Sequence, residues 1–239
     1  MAEIIYLNET DSTNAYLKAL AHDGAPESTT VIAKRQSGGR GRLGRSFHSP
    51  EGGLYMSTLL RPSLSAEVSL LVTTAAAAAV SRAIFDVFGK ENQIKWVNDI
   101  YINSRKVCGI LAEAALNKDG IEFVVLGIGV NLYSDSPLPD SIKNIAGFVC
   151  EKPCDQEKTN FFADTVLRYF YEYYRDLENK PFLDYYKKHQ LLVNRDIFLL
   201  KNGIETEARA LGVDDDLRLR INRGEKDEFL SFGEVSIRL

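Results

Sequence analysis

A loop at residues 36–45 places the strongest constraint on the fold of this chain. It reads Q-S-G-G-R-G-R-L-G-R, with four glycines, three arginines and no acid, although the whole chain carries a net charge of −4. Glycine lets the backbone approach a ligand closely, and arginine presents a planar fork of donors to carboxylate or phosphate oxygens. The loop therefore predicts a local anion-binding site.

The same loop matches two nucleotide-binding motifs in part. Residues 39–44 fit G-x-G-x-x-G after a predicted strand, and residues 39–46 fit a P-loop with arginine in the lysine position. Both motifs require a helix directly after the last glycine, because the helix N-terminus holds the phosphate. Pro50 and the glycines at 52 and 53 leave no room for such a helix. A dinucleotide-binding fold and a P-loop fold are both excluded.

Two other interpretations of the loop stay open. An Arg-Gly segment can bind RNA from a flexible state, but such segments are usually repeated in disordered tails, and this one occurs once between predicted strands. A basic, solvated loop is the simpler alternative. It does not explain why four glycines stand beside the arginines.

Composition narrows the class of protein. A chain of 239 residues is long enough for one sizeable domain with its own core. Cys108, Cys150 and Cys154 lack zinc-ligand spacing, so we expect reduced thiols in a cytoplasmic protein. The acidic balance argues against general affinity for nucleic acid. The N-terminus does not resemble a signal peptide, and the apolar run at 75–80 falls short of the ~20 residues that span a bilayer, so we expect no membrane association.

Periodicity and turn residues predict an α+β protein. Strands are expected at 4–7, 29–33 and 54–61, an antiparallel meander at 93–97, 100–102, 106–115 and 122–132, and helices at 15–21, 65–88, 140–148, 156–177 and 182–189. From residue 192 the pattern changes to short β-type runs, the last at 234–238, which suggests a small barrel. We therefore predict a domain of residues 1–190 and a second, smaller domain of residues 191–239.

Five motifs occur in a fixed order along the first domain. They are S-T-N at 12–14, the glycine/arginine loop at 36–45, K-W-V-N-D at 95–99, R-K-V-C-G-I-L-A-E at 105–113 and G-I-G-V-N at 127–131. This series resembles the biotin protein ligases (biotin–acetyl-CoA-carboxylase ligases), whose third motif has proline where Val97 stands. His48 also departs from the family, which commonly has an aromatic residue there. The C-terminal third is similar only in general shape and in G-E-V-S at 233–236.

The resemblance implies a fold and a two-step reaction. The fold would be a mixed, largely antiparallel sheet packed with helices, as in class II aminoacyl-tRNA-synthetase/biotin-ligase-like catalytic domains, followed by a small C-terminal SH3-like β-barrel. The enzyme would join biotin to ATP, giving biotinyl-5′-AMP and pyrophosphate. It would then pass the biotinyl group to a lysine of a biotin carboxyl carrier protein.

The resemblance also implies which residues act. Arg42 and Lys106 would be the catalytic pair that holds the biotin carboxylate against the α-phosphate, and Lys106 would also contact biotin. The other biotin-binding residues would be Ser12, Thr13, Asn14, Gln36, Gly38, Gly39, Arg40 and Gly109. Arg42, Arg45, Trp96, Asn98 and Asn131 would bind the nucleotide.

Several of these residues have ordinary alternatives. Ser12 and Thr13 could simply cap the first helix, and Trp96 could be a core aromatic. Asp99 would either orient Lys106 or bind Mg²⁺, because hard oxygen ligands suit that ion. Glu113 is a weaker metal candidate and could instead be a surface strand residue.

Partners follow from the same resemblance. Biotin, ATP with Mg²⁺ and the carrier protein are expected, and a homodimer through edge-to-edge sheet pairing is common in the family. Only eleven residues precede Ser12, so we expect no N-terminal DNA-binding module and no DNA partner. The nearest alternative function is a lipoate or octanoate ligase or transferase of the same fold.

Overall fold

A seven-stranded mixed sheet forms the frame of the protein, which is described here by a computed structural model for residues 3–63, 68–118, 120–201, 204–224, 226–231 and 234–236. Its strands are β1 (Ile4–Thr10), β2 (Thr30–Gln36), β3 (Leu54–Leu60), β4 (Gln93–Lys95), β5 (Asp99–Ile102), β6 (Arg105–Asn117) and β7 (Gly120–Val130). The order across the sheet is β1-β2-β3-β7-β6-β5-β4. Only β1 and β2 run parallel, and the predicted meander β4–β7 is confirmed.

In the described part of the chain, four α-helices pack around this sheet: α1 (Thr13–His22), α2 (Val68–Phe88), α3 (Gln156–Tyr174) and α4 (Leu183–Lys188). The run from Ala75 to Val80 in α2 is completely buried, because small side chains let the helix pack closely against its neighbours. Residues Ser69–Phe88 have the length and apolarity of a membrane span, but 61% of the apolar window is buried inside the domain. A central core helix has these same properties. The start predicted for this helix at residue 65 lies outside the described residues.

The C-terminal part forms a second sheet, which confirms the predicted small antiparallel β unit. Its strands are β8 (Arg195–Lys201), β9 (Ile204–Val213), β10 (Leu219–Arg223), β11 (Lys226–Leu230) and β12 (Glu234–Ser236), in the order β11-β10-β9-β8-β12. Its core continues into that of the first part, since the Trp96 indole N–H donates to the Leu217 carbonyl at 2.9 Å. The boundary at residue 190 stays a prediction. Gly233 and residues 237–239 lie outside the described residues.

The helix predicted at residues 140–148 is wrong. The segment forms turns and lies along the start of β6 as a strap, by which we mean residues 140–150. The Lys106 N–H donates to the Ile145 carbonyl at 2.8 Å, and the Gly147 N–H donates to the Lys106 carbonyl at 2.9 Å. These bonds to a neighbouring strand hold the backbone in a non-helical path, and tertiary pairing overrides local propensity.

Candidate active site

Backbone hydrogen bonds close the glycine/arginine loop between its two sides. The Gln36 N–H donates to the Ser49 carbonyl at 3.0 Å, and the Phe47 N–H donates to the Gly39 carbonyl at 2.8 Å. A β-carbon on Gly39 would lie 2.4 Å from the Phe47 carbonyl oxygen, so only glycine allows the two sides to meet there. The loop is thus a folded element whose closed base is formed by Gln36 and Ser49.

Two cations from distant parts of the chain meet on consecutive residues. An Arg42 Nη1 donates to Asn98 Oδ1 at 3.3 Å, and Lys106 Nζ lies 2.7 Å from Asp99 Oδ1. Asn98 is nearly buried and its Nδ2 donates to the Ile110 carbonyl at 2.7 Å, which fixes the amide. Positive charge from the loop and from β6 therefore converges at the start of β5, where an anion would be stabilised.

The strap supports two of the predicted site residues at once. It pairs with the backbone of Lys106 as described above, and the Gly147 carbonyl accepts a hydrogen bond from Asn131 Nδ2 at 3.2 Å. The Val149 N–H donates to the Asn131 carbonyl at 3.0 Å. Lys106 and Asn131 are consequently held by one segment, although they lie on different strands or strand ends.

Polar side chains cluster at the start of α1. The Thr13 backbone N–H donates to Gln36 Oε1 at 2.9 Å, and the Thr13 hydroxyl oxygen lies 3.1 Å from the same acceptor. Ser57 Oγ donates to Asn14 Oδ1 at 2.6 Å and lies 2.8 Å from Thr13 Oγ1. Ser12 is the N-cap of α1, and its hydroxyl accepts from the Ala15 N–H. The predicted cap is confirmed, and the cluster offers neutral donors and acceptors to a neutral polar ligand.

Glu113 adjoins this cluster and is paired with a cation. It accepts from Asn14 Nδ2 at 2.7 Å and from Lys18 Nζ at 2.5 Å. Partial burial by itself would raise the pKa of Glu113, but the hydrogen bonds from Lys18 and Asn14 and the charge of Arg40 outweigh it and leave the pKa below its usual value. Glu113 is therefore a charged, internally paired carboxylate at neutral pH.

The donor set around Asp99 suits only a loosely held metal ion. Across the described ranges, no three His, Cys, Asp or Glu side chains come together as a metal site. One carboxylate beside an anion site matches Mg²⁺, which keeps several waters and binds largely through substrate phosphates. Lys106 already neutralises Asp99 in this structure.

The sequence did not reveal a role for Phe47, which lies beside the catalytic candidate Lys106. The Phe47 ring centroid is 5.9 Å from Lys106 Nζ. β-Carbons on Gly109 and Gly129 would lie 3.1 Å and 2.6 Å from atoms of this ring, so both glycines make room for it. The glycines of the last two motifs were the available signal. His48, next in the chain, is exposed.

The remaining predicted residues differ in accessibility. Arg40 and Arg45 are exposed on the loop, and the Gly38 N–H donates to the Asp11 carbonyl at 2.8 Å. Trp96 is buried in the core with its N–H bonded to the second sheet. The structure thus places Trp96 as the core aromatic that the sequence left as an alternative, and a nucleotide contact by its ring stays a prediction.

Comparison with known proteins places this geometry in a family. The profile of the Biotin/lipoate A/B protein ligase family matches residues 6–131. The chain belongs to this family. All of the predicted site residues, from Ser12 to Asn131, lie inside the range matched by the ligase family.

Individual members of the ligase family match over most of the chain. The bifunctional ligase/repressor BirA of Bacillus subtilis (strain 168) is 33% identical over 230 residues, which cover 93% of this chain and 71% of that protein. The biotin–[acetyl-CoA-carboxylase] ligase of Paracoccus denitrificans is 40% identical over 128 residues, 53% of each chain. The structure of a biotin protein ligase from Aquifex aeolicus in complex with biotin and ATP has a TM-score of 0.83 at 28% identity, covering 100% of this chain and 99% of that one.

Proposed function

We propose that this chain is an ATP-dependent biotin protein ligase. It activates biotin as biotinyl-5′-AMP with release of pyrophosphate, and it transfers the biotinyl group to a lysine of a biotin carboxyl carrier protein of the acetyl-CoA carboxylase type. The observation that carries the proposal is the convergence of Arg42 and Lys106 on the consecutive residues Asn98 and Asp99, within a chain of the ligase family.

The first step joins two anions, which repel each other. The biotin carboxylate must attack the α-phosphorus of ATP while the bond to pyrophosphate breaks. Arg42 neutralises the carboxylate and the α-phosphate, and Lys106 binds the oxygens shared by the acyl and phosphoryl groups. Such donors act by stabilising charge that develops in the transition state, and the loss of one typically costs about 3–4 kcal/mol. Neither residue has to transfer a proton.

The polar cluster at the start of α1 receives the ureido ring of biotin. Ser12, Thr13 and Gln36 supply its hydrogen bonds, with Asn14 behind them, and Gly109 allows the ring to lie beside β6. The nearly buried Ser12 and Thr13 support this role, because a fixed, desolvated donor discriminates strongly between a polar ring and an alkyl chain. An octanoyl or lipoyl chain could form no hydrogen bonds with Ser12, Thr13 or Gln36, so the alternative of a lipoate or octanoate ligase is less favoured.

The glycine/arginine loop and the seven-stranded sheet together hold the nucleotide. Gly38, Gly39 and Arg40 bring the loop backbone against the activated carboxylate, and Arg45 reaches toward the phosphates. Asn98 supports the phosphate-binding arginine, Asn131 contacts adenine, and Trp96 contributes by packing beneath the site. Asp99 is the candidate residue to hold a Mg²⁺ ion bound with ATP, and such an ion would offset the phosphate charge.

In the second step the carrier lysine attacks the acyl carbon and AMP leaves. A closed loop protects the mixed anhydride from water until the carrier arrives. We also propose a cytoplasmic location, which the free thiols of Cys108, Cys150 and Cys154 support.

A homodimer through the edge of the sheet is part of the proposal. Residues 189–191 hydrogen-bond to β4, whereas no strand among the described residues pairs with the outer edge of β1. Analytical ultracentrifugation of the protein alone and with biotin and ATP measures its oligomeric state. A monomer at all concentrations and ligand conditions contradicts this point.

The decisive experiment incubates the protein with biotin, Mg-ATP and a biotin carboxyl carrier domain. We expect pyrophosphate release and an increase in the carrier's mass by one biotinyl group. Parallel reactions contain octanoate or lipoate in place of biotin. Pyrophosphate without carrier modification limits the function to adenylate formation, and reaction with octanoate but not biotin replaces the proposal by the alternative.

A further inference from the structure

A continuous series of hydrogen bonds runs from Glu113 to the proposed ureido site. Asn14 Nδ2 donates to Glu113 Oε2 at 2.7 Å, and Asn14 Oδ1 accepts from Ser57 Oγ at 2.6 Å. Ser57 Oγ lies 2.8 Å from Thr13 Oγ1, and the Thr13 backbone N–H donates to Gln36 Oε1 at 2.9 Å. The series therefore begins on β6, crosses β3 and α1, and ends on β2.

From Gln36 the series continues into the base of the glycine/arginine loop. Gln36 Nε2 donates to Ser49 Oγ at 2.9 Å, and Ser49 Oγ donates to the Phe47 carbonyl at 2.9 Å. Gln36 and Ser49 also pair through their backbones. Glu113 is consequently connected to both sides of the loop without lying in it.

The middle of the series is shielded from water, so its members cannot replace a lost partner. Ser57 is completely buried, and Asn14 is 5% exposed. A β-carbon on Gly127 would lie 2.2 Å from Asn14 Oδ1, which means that the amide fills the space against β7. The other acceptor near Asn14 Nδ2 is the Leu111 carbonyl, at 3.5 Å.

Glu113 determines which way the Asn14 amide points. An ionised carboxylate only accepts hydrogen bonds, so it requires the Nδ2 of Asn14 to face it and leaves the Oδ1 for Ser57. Without the carboxylate the amide can turn over and present Nδ2 to Ser57. The Ser57 hydroxyl then points elsewhere, and its contact with Thr13 changes.

We propose that Glu113 is a positioning residue for biotin, which orients Thr13 and Gln36 through Asn14 and Ser57. The inference rests on the proposed function for its ligand. Lys18 offsets the charge of Glu113 at a partly exposed position and is not needed for the orientation, because its side chain is 34% exposed and can be replaced by water.

Steady-state kinetics of four variants test this proposal in the full chain. In Glu113→Ala the KM for biotin should rise roughly tenfold, as expected for the loss of one hydrogen bond to a charged group, while the KM for ATP and kcat change less than about twofold. Glu113→Gln keeps an acceptor for Asn14 and should restore the biotin KM to within about threefold of the wild type. Lys18→Ala should have a similarly small effect. Asp196→Ala removes an exposed carboxylate of β8 paired with Arg209, and this control should leave both KM values unchanged.

A double-mutant cycle with Ser57→Ala distinguishes positioning from general destabilisation. Because Glu113 and Ser57 belong to one series, the two substitutions together should raise the biotin KM little more than either one alone. Multiplicative effects overturn the proposal, as does an unchanged biotin KM in Glu113→Ala or an equal rise in both KM values. Thermal melting identifies any variant that fails to fold. If Glu113→Ala fails, Glu113→Leu, which keeps much of the side-chain volume but offers no acceptor, replaces it in the cycle. A wild-type protein that does not use biotin refutes the proposed function itself, a result separate from any of these.

Discussion

Replacing Lys106 with alanine should slow biotinyl-AMP formation far more than it destabilises the protein. Lys106 Nζ lies 2.7 Å from Asp99 Oδ1, and the two side chains are 31% and 19% exposed. Water screens a pair of this exposure, so its loss costs about 1 kcal/mol or less of folding free energy. The loss of a donor to the charge that develops between carboxylate and phosphate costs about 3–4 kcal/mol of transition-state stabilisation.

The larger of these two losses, that of transition-state stabilisation, should appear as a slower rate of biotinyl-AMP formation. At about 1.4 kcal/mol for each factor of ten, we expect a decrease of roughly 10²- to 10³-fold in that rate. Biotin affinity should fall much less, because the full negative charge between the two groups exists only in the transition state. Lys187→Ala is the matched control, since it removes a lysine of almost the same exposure, 30%, which pairs with Asp215 and lies outside all five motifs.

Single-turnover measurement of biotinyl-AMP at saturating biotin and ATP gives the rate, and titration calorimetry gives the biotin Kd. Urea unfolding of each variant independently measures the change in the free energy of unfolding. A large loss of biotin affinity with an unchanged adenylation rate refutes the reasoning, because Lys106 would then bind ground-state biotin only. A loss of several kcal/mol in unfolding free energy would show that its main role is structural.

Three further results are expected. Arg42→Ala should weaken biotin binding and release biotinyl-AMP into solution, which chromatography of the protein-free filtrate detects; unchanged binding and no free adenylate remove Arg42 from the site. Gly147→Ala puts a β-carbon 2.7 Å from the Arg105 β-carbon, so it should cost about 1–3 kcal/mol of stability and slow adenylation by moving the strap away from β6. A variant whose unfolding free energy in urea and adenylation rate equal those of the wild type contradicts this prediction. The lowered pKa of Glu113 stabilises the fold above the carboxyl's unfolded value, about 4.3, and this contribution is lost as the pH falls through the folded value. Glu113→Gln should therefore be less stable than the wild type at pH 7, and the difference should shrink below about pH 4; a difference independent of pH argues against ionisation of the pair with Lys18.

Much of the fold was predictable because its signals are local. Alternation and turn residues predicted β4–β7, and the Ala-rich run with Gly89 behind it predicted α2. The segment 140–148 failed because its path depends on hydrogen bonds to Lys106, a partner some forty residues earlier in the chain. No local pattern records such a partner.

The residues of the candidate site also fall into those that the sequence could predict and those that it could not. Motif order and residue type pointed to Arg42, Lys106 and Thr13, because glycine, arginine, lysine and hydroxyl groups in those positions carry chemistry that the sequence displays. Whether Trp96 faces a ligand or the core could not be read from its type, and its bond to Leu217 decides that it lies in the core. Glu113 similarly looked like either a metal ligand or a surface residue.

The sequence by itself determined the family, the succession of strands and helices up to residue 132, and the residue types available at an anion site. The tertiary structure alone decided that Arg42 and Lys106 meet on consecutive residues, that the strap braces β6, and that Glu113 is joined through Asn14 and Ser57 to the loop. The physical reason is the separation along the chain of the groups that interact. Propensity and periodicity act between neighbours in the chain. Apart from the pair of Lys106 with Asp99, which are seven residues apart, these contacts join groups from about forty to about one hundred residues apart, and only packing of the whole sheet brings them within hydrogen-bond distance.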